Sequence, residues 1–314
     1  MKKNIISLCL IFICLSSIAQ EKKCLIVLLD GIPADVLEAT NTPNIDNIIE
    51  KGAYARAYVG GEKGGLSESP TISAVGYNSM LTGTWANKHN VWGNSIKDPN
   101  YNYPTLFKVA KDYKPELEIG IYSTWEDNRT KLLGEDLMAT NHLKFDVVFD
   151  GYENDTIAFP HDSKQNYIRN IDNLVVKSAA KSLRKDAPSL SWIYLEYTDD
   201  MGHKFGDSPE MTKAVELADK QIGELYSAIM KRKNEDWLII ITTDHGRNAE
   251  TGKNHGGQTD RERITWIVTN QKEINDRFQN GLAIVDIFPT VLQFLNIPLT
   301  DELKANLDGV SFLK

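Results

Sequence analysis

Three apolar runs of this chain close on carboxylates, and two of them add histidine within a few residues. Asp30 ends the run at 24–29, Asp199 and His203 close the run that begins at 190, and Asp244 and His245 follow the run at 237–241. His255 comes ten residues after His245, in Asn254-His255-Gly256-Gly257. Carboxylate oxygens and imidazole nitrogens in this number are the ligand set of zinc and its neighbours among the divalent metals. One aspartate at the end of an apolar run is ordinarily a helix cap or a turn former. Three of them, two with histidines, point to metal-dependent chemistry.

The elements that must position these groups are legible from periodicity. The runs at 24–29, 119–122, 190–197, 237–241 and 264–268 are rich in Ile, Val and Leu without alternation, as strands buried on both faces read. Helical spacing appears between them, at 44–51 after Thr42-Pro43, from Tyr103-Pro104-Thr105 through Ala110, and at 166–183, 209–231 and 285–295. This alternation predicts an α/β fold with a mainly parallel central sheet and helices on both faces. Ligands of such sheets bind beyond the carboxyl ends of the strands, where Asp30, Asp199 and Asp244 fall. Residues 60–65 read as a Gly-rich loop entering the segment 67–83. Residues 98–189 are less regular and predict a small insertion over the sheet.

The chain has 314 residues and a formal net charge of −8. Its start, Met1-Lys2-Lys3, an apolar stretch at 5–15 and Ser17-Ile18-Ala19, reads as a secretory signal peptide over 1–19. The apolar stretch is short for a bilayer, so no stable membrane anchor is expected. The remainder, 20–314, reads as one catalytic domain in the periplasm or outside the cell. Cys9 and Cys14 lie in the signal, which leaves Cys24 alone and excludes an intramolecular disulfide. Loss of Lys2 and Lys3 makes the charge −10. That balance argues against binding a nucleic-acid polymer but not against a small anionic substrate, because bound divalent cations reverse the field locally. Oligomeric state is left open.

In order, these motifs resemble the alkaline phosphatase superfamily, in particular its type I phosphodiesterase/nucleotide pyrophosphatase branch. The likeness runs through Leu29-Asp30-Gly31, the stretch 42–52, Pro70-Thr71-Ile72-Ser73 to Gly83, Asp199 to Gly206, Thr243-Asp244-His245-Gly246, the stretch 287–292 and Asp308-Gly309. The resemblance implies two divalent metals, zinc or alternatively manganese. Asp199, His203 and His255 would hold one, and Asp30, Asp244 and His245 the other, with Ser73 completing it. It also implies that Ser73 is the nucleophile, forming a phosphoseryl intermediate, and that Asn94 donates to a phosphoryl oxygen. Residues 74–81 read as a short helix with Ser73 at its N-cap, and Thr71 and Ser69 are alternative hydroxyls. Close relatives usually carry threonine at this position, so serine is a departure. The formylglycine motif of sulfatases is missing at Ser73. The implied activity is that of a phosphodiesterase or nucleotide pyrophosphatase acting on a small phosphoester. A phosphomonoesterase is the alternative, for which Arg129, Lys131 or Lys164 would bind the extra charge. A sulfatase or phosphonate hydrolase, or a non-catalytic metal-binding homologue, stands further off.

Overall fold

The computed structural model describes residues 20–314, so the signal segment read at 1–19 lies outside the described residues. Seven strands form one sheet: β1 (Glu21–Leu29), β2 (Ala53–Tyr58), β3 (Ile119–Ser123), β4 (Val147–Phe149), β5 (Leu190–Leu195), β6 (Glu235–Thr242) and β7 (Ile264–Thr269), in the order β2-β7-β6-β1-β5-β3-β4. Only β7 opposes its neighbours, antiparallel to both β6 and β2. The other pairings are parallel.

Strand β1 lies at the centre, paired to β5 and β6, and its side chains sort by alternation into two cores. Cys24, Ile26 and Leu28 enter one core and Leu25, Val27 and Leu29 the other. The chain covers the two faces with helices α1 (Ala34–Ala39), α2 (Pro43–Lys51), α3 (Ser73–Thr82), α4 (Ala86–His89), α5 (Leu106–Tyr113), α6 (Asn166–Lys185), α7 (Tyr197–Phe205), α8 (Pro209–Ile229), α9 (Asp260–Arg263), α10 (Ile287–Phe294) and α11 (Asp301–Asn306). Helices α3, α5 and α10 supply the first core through residues such as Tyr77, Phe107 and Phe288. Helices α2, α6 and α8 supply the second through Ile45, Val175 and Ile222. Among the described residues no helix is long and apolar enough to cross a membrane.

The structure departs from the sequence reading at four points. Strands β2 and β4 at the sheet edges were not expected. The run at 190–197 ends as a strand at Leu195, and Tyr197 already begins α7. Asp199 therefore stands in the first turn of a helix rather than at the strand end. Ser73 is not the cap of α3: extended Ile72 precedes the helix and Ser73 is its first residue.

His89 is buried in α4 with both ring nitrogens committed. Nδ1 accepts from Val91 N at 3.1 Å, which puts the proton on Nε2, 3.0 Å from Ser79 Oγ. Burial pushes its pKa down to about 3. The folded state thus refuses a proton that the unfolded chain takes up near pH 6.5. The stability tied to neutral His89 is complete above pH 6.5 and falls by about 1.4 kcal/mol per pH unit below it, down to about pH 3. His89→Gln should flatten the fall of Tm between pH 6.5 and 4 in thermal melts. An unchanged slope would show that His89 does not carry this sensitivity.

Candidate metal centre

The carboxyl ends of β1, β5 and β6 bring their following residues to one place. Asp30 comes directly after β1, and Asp244 and His245 follow β6 within three residues. Their positions are fixed by the backbone. Gly31 N and His245 N both donate to Asp244 Oδ1, at 3.0 and 3.1 Å. Ile32 N donates to Thr243 Oγ1 at 3.0 Å. On α7, Asp199 and His203 stand one turn apart and share a face, with His203 Nε2 3.2 Å from Asp199 Oδ2.

Each of two histidines has one nitrogen turned away from the centre. His245 Nδ1 lies 2.9 Å from Gly246 O, and His255 Nδ1 lies 2.9 Å from Thr71 O. A carbonyl there requires the proton on Nδ1, which leaves both Nε2 lone pairs for a ligand. The rings stack with centroids 3.7 Å apart. His245 Nε2 lies 3.3 Å from Asp30 Oδ1, 3.7 Å from Asp244 Oδ2 and 4.0 Å from Asp199 Oδ1. His255 Nε2 lies 3.1 Å from His203 Nε2 and 3.8 Å from Asp199 Oδ1.

Two groups of three ligand atoms fall within metal-binding reach of one another: Asp30, Asp244 and His245; and Asp199, His245 and His255. The first is the trio expected from sequence. In the second His245 stands where His203 was expected, although His203 borders the same space. The donor set fits a cation by a further sign: Asp30 Oδ1 and Asp244 Oδ2 are buried and have no hydrogen-bond partner among the described residues. A buried carboxylate oxygen without a donor is costly, and both of these oxygens face His245 Nε2.

The electrostatics agree. Burial, then the neighbouring Asp30, pushes the Asp244 carboxyl well above its ordinary range. Burial opposes a charge on His245, yet Asp244 and Asp30 together draw its pKa up to about 9. The carboxylates recruit positive charge at that nitrogen, the position a divalent ion would take from the proton. Burial and the charge of His245 push His255 down to about 4, so it stays neutral. Asp199 is held below the carboxylate range: burial opposes this, but the His203 hydrogen bond and the Arg247 charge prevail.

Ser73 Oγ lies 3.3 Å from His245 Nε2. Its hydroxyl makes no capping bond. Asn94 Oδ1 takes that place, accepting from Ala74 N at 3.0 Å. With its oxygen so used, Asn94 has its amide NH2 left to donate. Thr71 is committed elsewhere, its hydroxyl donating to Gly257 O and accepting from Gly256 N. Arg129 is spent on Asp150 and Glu135, and Lys131 on Asp127.

Two residues at this centre escaped the sequence reading. Tyr194, on β5, donates from Oη to Asp30 Oδ2 at 2.6 Å; burial first, then Asp30, holds its proton in place. Arg247 is buried and ion-paired to Asp199. Its only local signal was its place two residues after His245.

A parallel sheet that gathers aspartates and histidines at its carboxyl edge, with a serine opening a facing helix, is the architecture of the alkaline phosphatase superfamily. Residues 24–286 match the family model of type I phosphodiesterase / nucleotide pyrophosphatase, and the chain belongs to that family. It is 25% identical over 255 residues to an uncharacterized pyrophosphatase/phosphodiesterase of Schizosaccharomyces pombe, covering 77% of this chain and 46% of that protein. It is also 25% identical over 237 residues to human ectonucleotide pyrophosphatase/phosphodiesterase family member 5, covering 72% of this chain and 45% of that one. The chain thus spans about half the length of the curated relatives it matches. The solved structure of that human protein superposes with a TM-score of 0.62 at 15% identity, covering 92% of this chain and all of that one. A 2-O GAG sulfatase superposes with 0.67 at 14% identity, covering 93% and 73%. These superpositions show a shared fold.

Proposed function

We propose that this chain is an exported, metal-dependent phosphodiesterase or nucleotide pyrophosphatase that works through a covalent intermediate on Ser73. The observation that carries the reading is the pair of orphaned carboxylate oxygens, on Asp30 and Asp244, facing His245 Nε2 with Ser73 Oγ beside it. Asp30, Asp244 and His245 would hold one divalent ion, zinc or manganese, and Asp199, His203 and His255 the other. When bound, such ions neutralise the phosphoryl oxygens and lower the pKa of the serine hydroxyl.

The protein's own groups do the rest. Ser73 Oγ attacks phosphorus in line, so that its bond to phosphorus forms as the bond to the leaving oxygen breaks, and its proton passes to solvent. Water then attacks the same phosphorus, and Ser73 leaves with its proton restored. Asn94 Nδ2 donates to a non-bridging oxygen, where charge gathers in the transition state. Tyr194 and the amides of Gly31 and His245 hold Asp30 and Asp244 in orientation. Residues 20–314 form one catalytic domain, and residues 1–19 mark it for export.

A diester is favoured over a monoester by the fate of the cations. A monoester brings one more charged oxygen; Arg129 and Lys131 are bound to carboxylates of the protein, as is Arg247, and of the candidate cations this leaves exposed Lys164, which has no ion pair among the described residues. Turnover of bis-p-nitrophenyl phosphate should exceed that of p-nitrophenyl phosphate by at least tenfold in kcat/KM, with metal content measured on the same sample. A preference for the monoester would reverse the assignment.

A further inference from the structure

We propose that Arg247 is a positioning residue for the metal centre: by fixing Asp199 and tying the three ligand-bearing segments together, it lets the group Asp199, His203 and His255 take up its cation. This rests on the metal-centre reading above.

The guanidinium is almost fully buried, 1% exposed. It touches each segment next to a ligand. Nε donates to Gly31 O at 3.0 Å, directly after Asp30. Nη1 donates to Lys253 O at 2.9 Å, two residues before His255. Nη2 donates to Asp199 O at 2.7 Å and pairs with Asp199 Oδ1. Asp199 Oδ1, the oxygen that faces His245 and His255, is thus paired to the guanidinium, while Oδ2 faces His203. A planar fork with fixed donor directions can span three such acceptors; an ammonium cannot match them.

The backbone is built around this side chain. A Cβ on Gly202, in α7, would lie 2.2 Å from Arg247 Nε and Cζ. A Cβ on Gly31, whose φ is +66°, would lie 2.8 Å from Nη2 and 2.5 Å from Asp199 Oδ1. Two glycines therefore wall the slot through which the guanidinium reaches Asp199. Stability alone does not account for it, because a buried ion pair is rarely better than well-packed apolar residues. A task at the ligands does.

The test uses Arg247→Lys, which keeps the charge and loses the fork, and Gly202→Ala, which keeps the arginine and evicts it from the slot. Zinc stoichiometry and affinity, measured by competition with a chromogenic chelator, are read beside Tm and kcat. Wild type should bind two equivalents. Both variants should hold one equivalent as wild type does and the other roughly 10–100-fold more weakly, with kcat recovering as zinc is raised. Unchanged affinity for both equivalents, with or without a fall in Tm, would overturn the proposal and assign Arg247 to the fold. Loss of the native fold in both variants, read by circular dichroism, would do the same. Fewer than two equivalents in wild type would instead refute the metal-centre reading itself, and the positioning role with it.

Discussion

Ser73→Ala should reduce phosphodiester turnover by a factor on the order of 10⁴ or more, the scale on which loss of a nucleophile is felt. It should leave bound metal and Tm close to wild type. The two halves of this expectation come from different observations. Ser73 is the first residue of α3 and carries no capping bond, since Asn94 Oδ1 holds Ala74 N. Removing its hydroxyl therefore costs the helix little. The same hydroxyl faces His245 Nε2 at 3.3 Å, with Thr71 committed to Gly257 and Gly256. Of the two alternative hydroxyls Thr71 is thus unavailable, while Ser69 Oγ is buried without a hydrogen-bond partner among the described residues, so Ser69→Ala is the control. Steady-state kinetics with bis-p-nitrophenyl phosphate, alongside metal analysis of the same preparation, checks both parts. Wild-type turnover by the variant would remove Ser73 from the chemistry.

Asp244→Asn should have opposite effects on activity and on the stability of the metal-free protein. In the metal-free chain Asp244 Oδ2 is a buried oxygen without a hydrogen-bond partner among the described residues, and burial with Asp30 nearby disfavours charge on Asp244. An asparagine keeps Oδ1 for Gly31 N and His245 N and turns the orphaned oxygen into a donor. Relief of a buried unsatisfied group is worth about 1–3 kcal/mol, so Tm in the presence of a chelator should rise. The stabilisation conferred by added zinc should vanish. Wild type at a hundredfold excess of zinc over Kd gains about 2.7 kcal/mol from binding, and the variant should gain little. Its turnover should be lost with the metal. Differential scanning calorimetry with and without zinc reads both signs, and a lower Tm without metal would show that Asp244 is structural.

The centre of the sheet was legible in the sequence and its edges were not. Strands β1, β3, β5, β6 and β7 announce themselves as unbroken apolar runs because both their faces are buried. Strand β2 alternates Ala with Tyr and Arg56, the latter paired outward to Glu38, and β4 has only three residues. Neither offers a period long enough to read. The reversal of β7 has no local signature, because direction is set by where the chain returns from.

The ligand residues were legible because three apolar runs close on carboxylates and two of them add histidine, where one such aspartate alone would read as a cap. Their mutual arrangement was not. That His245 reaches both groups follows from the stacking of two rings ten residues apart, and the role of Asn94 in closing α3 depends on the extended backbone of Ile72. Arg247 was invisible for the same reason. Its acceptors at Gly31, Asp199 and Lys253 are spread over the chain, and nothing next to it betrays them.

The most direct measurement is an anomalous difference map from crystals of the zinc-loaded protein, collected at the zinc edge. Two peaks are expected, one among Asp30, Asp244 and His245 beside Ser73 Oγ, the other among Asp199, His203 and His255. A single peak, or none within reach of these side chains, would contradict a two-metal centre.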